Sequence, residues 1–516
     1  MAPSTLCFQD FKPSHRLLQV PELIRMICGF SEREHYVKLL YVSRRTYTYV
    51  LPMVWEETNL QSVLLLIPGA KIVGEDEGHP EYECAIQFPS VIDPTRFDVH
   101  SHLVKTVRTL RIQFVEFPDQ WPGRGSREAP SPLLPNLQRL VINTCYPLKQ
   151  AGWMFKLLNP SLLDLLIAPI DAENESELEG LFEEPPGPDV QICSDLLDHV
   201  LHTCPHLVRL CLYPLESGGT NQTQRYSLYA KLAKLTHLRF FSFVVSEVYG
   251  DIFPVLGQLP CLESLSLISS GISMSSCKSI AMPDDSFPCL QRLSLHDLCD
   301  SAVDFICKIA PLFRHLVTAK IVFCIQCYEE SGGDHVRSTM LFRSMGQNSP
   351  HLRNLSVHSG GHFGQFAVNS SIINKLNYEE DDIARSDSPE AQWTAFLTAV
   401  PNLEELELTE QDLPPGHLRL FASLLPNLQR LVLPRIWLDD VNGTFGDVNA
   451  PQSIAIRSGA FFRSQSSPRF GRTPDEPSIA NAAKYLHGLW PNVVCERLTG
   501  DPLVTRLREM LESLKC

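Results

Sequence analysis

The sequence predicts an α/β protein in which a small N-terminal three-helix block precedes an irregular solenoid of parallel strands and helices. Three observations carry this. The phrase P-x-L-x-x-L-x-L recurs through most of the chain, helical periodicity fills several spacers between its copies, and residues 17–60 are helical in pattern but lack the phrase. A phrase returning at intervals of roughly 20–50 residues marks units that cannot bury an apolar face alone and must stack.

Residues 1–16 read as a flexible lead-in, and three short helices are expected over 17–60. Pro21 suits a first helical position, with Leu23, Ile24 and Ile27 forming a stripe that ends at Gly29. Ser31 is a candidate cap for a second helix bearing Tyr36, Leu39, Leu40 and Val42, and a third runs from about Arg44 to Trp55. So short a block cannot bury all its apolar residues, and the exposed remainder marks a partner surface. Residues 61–104 read as a connecting segment.

The repeats are expected over 105–449. Full copies begin at Pro135, Pro160, Pro205, Pro260, Pro288, Pro350, Pro401 and Pro426, and looser ones at Val107, Leu238 and Leu316. The terminal Leu-x-Leu alternation is that of a short strand, and the preceding Pro is harmless at a strand start. Leu196, Leu197, Val200 and Leu201 have helical spacing ahead of Pro205. Trp393, Phe396, Leu397 and Val400 do the same before Pro401, as do Leu418, Phe421 and Leu425 before Pro426. Stacking such units puts parallel strands on a concave side and helices on a convex side. Two acidic insertions, 171–189 and 378–390, interrupt the array. Residues 450–477, rich in Ser, Arg and Pro, read as a flexible loop. Residues 478–516 read as a C-terminal cap with a degenerate last strand between two helices.

Residues alternating with the core leucines would face the concave side, where a protein partner is expected. Arg139 and Val141, Arg209 and Cys211, Glu263 and Ser266, Gln291 and Ser294, Glu405 and Glu407, and Gln429, Val432 and Pro434 are the candidates. The formal net charge of −15 argues against a nucleic-acid partner. No apolar run reaches the ~18 residues of a membrane span, and no secretion signal opens the chain. The 16 cysteines then read as reduced thiols of a cytoplasmic or nuclear protein.

No hydrolase, nucleotide or metalloprotease motif is present, so a non-catalytic protein without cofactor or metal is expected. Cys324-Ile325-Gln326-Cys327 lacks the second ligand pair a structural zinc needs. Several histidines (His206, His237, His315 and His351) fall just before a repeat leucine, where a surface position is expected.

Within the helical block, Val20-Pro21-Glu22-Leu23 with Ile27, Val42-Ser43-Arg44-Arg45, and Leu51-Pro52 with Trp55 follow the order of an F-box. Val20 stands where the pattern has Leu, and Arg45-Thr46-Tyr47 replaces a Trp-containing centre. The block resembles an F-box, and the repeats resemble the leucine-rich-repeat arrays of fungal F-box proteins. The resemblance implies a substrate receptor of an SCF-type (Skp1–cullin–F-box) ubiquitin ligase. Its F-box would dock a Skp1-type adaptor through Pro21, Leu23, Ile24, Ile27, Leu39, Leu40, Val42 and Trp55, and its repeats would hold an unknown protein substrate. The alternative is an interaction scaffold whose N-terminal helices only cap the solenoid.

Overall fold

The structure is a computed structural model. It describes residues 20–73, 84–109, 112–115, 132–143, 152–168, 190–212, 222–245, 251–269, 282–298, 300–324, 341, 344–360, 389–408, 412–413, 415–436, 453–461, 476–497 and 502–515. The chain divides into two compact units, Met1–Glu173 with Pro185–His237, and Asn174–Glu184 with Leu238–Cys516. The lead-in 1–16 and the insertion 171–189 lie outside the described residues, as does 378–388 of the second insertion.

The first unit opens with α1 (Pro21–Gly29), α2 (Arg33–Leu39) and α3 (Arg44–Glu56), as the periodicity predicts. They lead into β1 (Glu57–Asn59), α4 (Leu60–Leu64), β2 (Lys71–Val73), β3 (Cys84–Gln87), α5 (Thr95–Ser101), β4 (Thr106–Thr109) and β5 (Ile112–Val115). Then come β6 (Arg139–Asn143), α6 (Gly152–Phe155), β7 (Asp164–Ala168), α7 (Val190–Thr203), β8 (Arg209–Leu212) and α8 (Gln222–Leu232). Strands β1, β4, β6, β7 and β8 pair in that order, all parallel. Strand β3 pairs antiparallel with β2 and parallel with β5 in a separate small sheet.

The second unit contains β9 (Phe240–Val245), α9 (Phe253–Gly257), β10 (Ser264–Ser269), β11 (Arg292–Leu298), α10 (Asp300–Cys307), β12 (Thr318–Cys324) and β13 (Asn354–Gly360). It continues through α11 (Pro389–Ala399), β14 (Glu405–Leu408), β15 (Asp412–Leu413), α12 (Pro415–Leu424) and β16 (Arg430–Ile436). It ends with β17 (Ala455–Phe461), α13 (Glu476–Leu489), β18 (Val494–Arg497) and α14 (Pro502–Lys515). Its sheet is parallel from β9 to β18, with β15 beside β16 off the main path.

The repeat phrase explains this regularity. In β6, β7 and β8, Leu140, Leu165 and Leu210 stand in one register row and Ile142, Ile167 and Leu212 in the next, all at 0% exposure. Each such side chain contributes about 1.5–3 kcal/mol by leaving water. Side chains on the helices are buried as well: Cys193, Leu196, Leu197 and Val200 of α7 in the first unit, and Leu418 and Phe421 of α12 in the second. A backbone joint repeats with the phrase. The carbonyl of Lys105, just ahead of β4, accepts from both Gln138 N and Arg139 N, at 2.7 and 2.9 Å. Gln138, Leu163, Arg239, Glu263, Gln291, Val317, Arg353 and Glu404 do the same for the unit that follows each. Both lone pairs of that oxygen are thereby used.

Four expectations need correction. The sheet begins at Glu57 rather than near 105: α3 runs straight into β1, and Thr58 fills the inward slot at 3% exposure with no leucine to announce it. Residues 61–104 are not a plain connector, since α4, α5, β2 and β3 lie within them. The loose copy at Val107 is out of step by three residues, because Val107 itself pairs with Leu140. The loop expected over 450–477 contains β17, paired with β16 and β18; of the phrase it keeps only Ile456, in register with Leu431. The copies at Leu238 and Leu316 stand in the expected register, Phe241 opposite Leu265 and Ala319 opposite Leu293. Among the described residues, no helix is long and apolar enough to cross a membrane.

Candidate functional site: the helical block and the outward strand face

The helical block has its own small core. Pro21 enters α1 at its first turn, where a missing N–H costs nothing. Ser43 caps α3, its hydroxyl accepting from Thr46 N at 3.1 Å. Ser31 does not cap α2: Glu32 holds that position, and the Ser31 hydroxyl donates back to the Ile27 carbonyl. Ile24 and Cys28 of α1 meet Val50 and Val54 of α3, with Leu39, Leu40, Tyr49, Met53 and Trp55 packed around them. Burial pushes the Cys28 thiol pKa up. Arg33 donates to the Val54 carbonyl at 3.0 Å, satisfying an end of α3, and the Trp55 ring lies 4.8 Å from that of His100 on α5.

This core sorts the residues assigned to adaptor docking. Ile24 is 0% exposed and is a core residue, a correction: on so short a helix it takes the slot facing α3. Pro21, Leu23, Leu39, Leu40 and Trp55 are half-buried. Ile27 and Val42 are open, at 41% and 53%. The sequence reading missed Met26, Phe30, Tyr41 and Tyr47, which are exposed beside them, Phe30 to 90% and Tyr41 to 86%. Large apolar residues in the turns after α1 and α2, where polar ones are usual, were the available signal.

The second candidate surface is the strand face turned away from the core. Arg139, Arg209 and Glu405 each open a strand on this face, and Glu407 follows two residues on. Glu263 and Gln291 stand one residue ahead of β10 and β11, so the residues in register are Ser264 and Arg292. The cause is the two-residue gap inside L-x-x-L, whose first leucine precedes the strand. Val141 is also corrected: it is 0% exposed although on the outward side. His206, His237, His315 and His351 are exposed at their turns, as expected. Cys324 closes β12, and Cys327 lies outside the described residues.

In the first unit the outward row reads Glu57, Thr106, Arg139, Asp164, Arg209. Glu57 accepts from Arg108 at 2.9 Å, and Lys105 pairs with Glu56 at 2.8 Å. Desolvation raises the Asp164 pKa, and Arg209 and Arg139 on either side oppose it. In the second unit Ser356 donates to Glu407 at 2.8 Å and lies within hydrogen-bond distance of His358 Nε2. That same nitrogen is 3.9 Å from Glu407. A hydroxyl whose proton already points at a carboxylate is held in place rather than activated toward the imidazole. The described residues thus offer an exposed apolar face on the helices and a polar face on the strands. Among them no group of three or more His, Cys, Asp or Glu side chains is placed to hold a metal ion.

The structure is similar to that of the leucine-rich repeat-containing protein LegL7 from Legionella pneumophila, at 13% sequence identity and a TM-score of 0.31, covering 62% of this chain and 86% of that one. No protein-family model matches the chain, and no curated protein matches it. Register-matched leucine rows on a parallel sheet are common to both units, an α/β architecture consistent with leucine-rich repeats.

Proposed function

We propose that this chain is the non-catalytic substrate receptor of an SCF-type ubiquitin ligase, its helical block docking a Skp1-type adaptor and its outward strand face holding a protein substrate. One observation carries the reading. A block whose core is four side chains leaves seven large apolar ones exposed: Val20, Met26, Ile27, Phe30, Tyr41, Val42 and Tyr47. Water contact at that many apolar groups is relieved by a partner. The motif order from Val20 to Trp55 names the kind of partner. Such a receptor works in the cytoplasm or nucleus, and ubiquitin transfer takes place on other subunits.

A second reading has its own support. Helix α3 passes directly into β1, whose three residues pair with β4. Helices joined to a sheet in that way also serve as an end cap, and the chain would then be an interaction scaffold outside any ligase. The test is capture of a purified Skp1-type adaptor by the full-length chain, beside an Ile27→Asp/Val42→Asp variant, in which both substituted residues are exposed. The ligase reading expects capture by the wild type and loss of it in a variant with an unchanged circular dichroism spectrum. Failure of the wild type to bind leaves the scaffold reading standing.

A further inference from the structure

Each full copy of the phrase places one residue between its proline and its first leucine, in the turn that leads to the strand. In the second unit two successive copies put cysteine in that slot: Pro260-Cys261-Leu262 ahead of β10, and Pro288-Cys289-Leu290 ahead of β11. Leu265 stands opposite Leu293 across those strands, so four residues back on each strand Cys261 comes opposite Cys289. Both are exposed, whereas Cys28, Cys193, Cys204 and Cys495 are buried.

Backbone hydrogen bonds pin the two turns together on either side of the cysteines. Ahead of them Phe287 N donates to the Gly257 carbonyl at 2.8 Å, and after them Gln291 N and Arg292 N both donate to the Glu263 carbonyl at 2.9 Å. Between these ties Leu262 N donates to the Leu259 carbonyl and Leu290 N to that of Phe287, the same turn bond in both copies. Parallel chains tied in this way run about 4.8 Å apart. A disulfide asks for Cα atoms about 4.4–6.8 Å apart, so the pair meets that requirement with the backbone where it stands. Side chains in slots of this kind do meet: in the first unit His206 and His237, each just ahead of a phrase leucine, have ring centroids 5.9 Å apart.

We propose that Cys261 and Cys289 form a thiol–disulfide switch, closing into a bond between neighbouring copies when a low-molecular-weight disulfide such as oxidised glutathione accumulates. This goes beyond a receptor or scaffold role and depends on neither. One cysteine thiolate attacks the small disulfide, forming a mixed disulfide and expelling one small thiolate. The second cysteine thiolate then attacks the sulfur of the first, and the other small thiolate leaves. The two protons of the protein thiols end on the two departing thiols; the protein loses two electrons and the small disulfide gains them. Once the bond is closed, β10 and β11 are joined by a covalent link as well as by hydrogen bonds, and parting them requires its reduction. In a reducing compartment such a bond is transient, which suits a sensor.

The test starts from the reduced full-length chain, equilibrated in buffers of rising oxidised-to-reduced glutathione ratio. Each sample is quenched with N-ethylmaleimide and mapped by tryptic mass spectrometry without reductant. Lys278 lies between the two cysteines, so trypsin releases them on separate peptides, and fragmentation separates Cys261 from Cys277 on the first. The wild type should yield the Cys261–Cys289 linked pair, lighter by two hydrogens than its parts, on a chain that migrates as a monomer. In Cys261→Ser or Cys289→Ser the remaining cysteine should instead hold one glutathione, because the thiol that displaces it is gone. Glutathione retained on the wild-type pair without a link would overturn the proposal. So would either cysteine joined to a different one, a link between two chains, or a link that forms only in urea.

Discussion

At the scale of single residues, His296 and the cysteines have the chemistry that burial alters most. The His296 pKa falls to about 3 in the fold, from about 6.5 in an unfolded chain. Between those values the unfolded chain binds the extra proton, so acid favours unfolding, and above about pH 6.5 this group has no effect. From pH 7 to pH 5 the wild type should therefore lose up to about 2 kcal/mol that a His296→Asn chain retains. Chemical denaturation at both pH values checks this; equal losses in the two chains would mean that His296 is protonated in the folded state. The thiols divide by the same logic. Burial pushes Cys204 up to about 11 and Cys495 to about 12, while Cys261 and Cys289 are exposed. Iodoacetamide at pH 8 should label the exposed pair in the native chain and spare the other two, as peptide mass mapping can verify.

At the scale of elements, close packing sets what a strand or helix tolerates. Gly346 has the clearest limit: a Cβ there would lie 2.9 Å from the Ala399 Cβ at the end of α11. Gly346→Ala should cost about 1–3 kcal/mol, read as a lowered melting temperature. Legibility also follows the elements. Wherever two or three leucines of the phrase survive, as in Leu265 with Leu267 or Leu431 with Leu433, the strand and its register were readable, because only an inward leucine row gives that spacing. Strands β1 and β17 were not, since Thr58 and Ile456 alone mark their inward slots and sheet pairing, not local pattern, holds them there. The helical block was readable as three helices, yet its sides were not. Ile24 and Ile27 belong to one stripe of α1, and only the position of α3 makes one core and the other surface. The row of Ser242, Ser266 and Ser294 was hidden for a similar reason: the residues lie far apart in sequence, and the row exists only once β9, β10 and β11 are aligned.

At the scale of the whole molecule, a stack of repeats is only as sound as its ends. Trp490, Leu486, Leu507 and Leu511 of the last helical layer are buried, beside β18 at the final edge of its sheet. Removing residues 476–516 should bare β17 as a new edge and produce aggregation, visible in light scattering at a temperature where the full chain stays dispersed. The opposite end works differently. Glu57 both terminates α3 and begins β1, with no spacer between them. The first three helices are therefore joined to the first unit's sheet with no linker to take up slack. A tether would let them turn freely against that sheet; a joint of one residue leaves them only the turn that the extended Glu57 backbone allows.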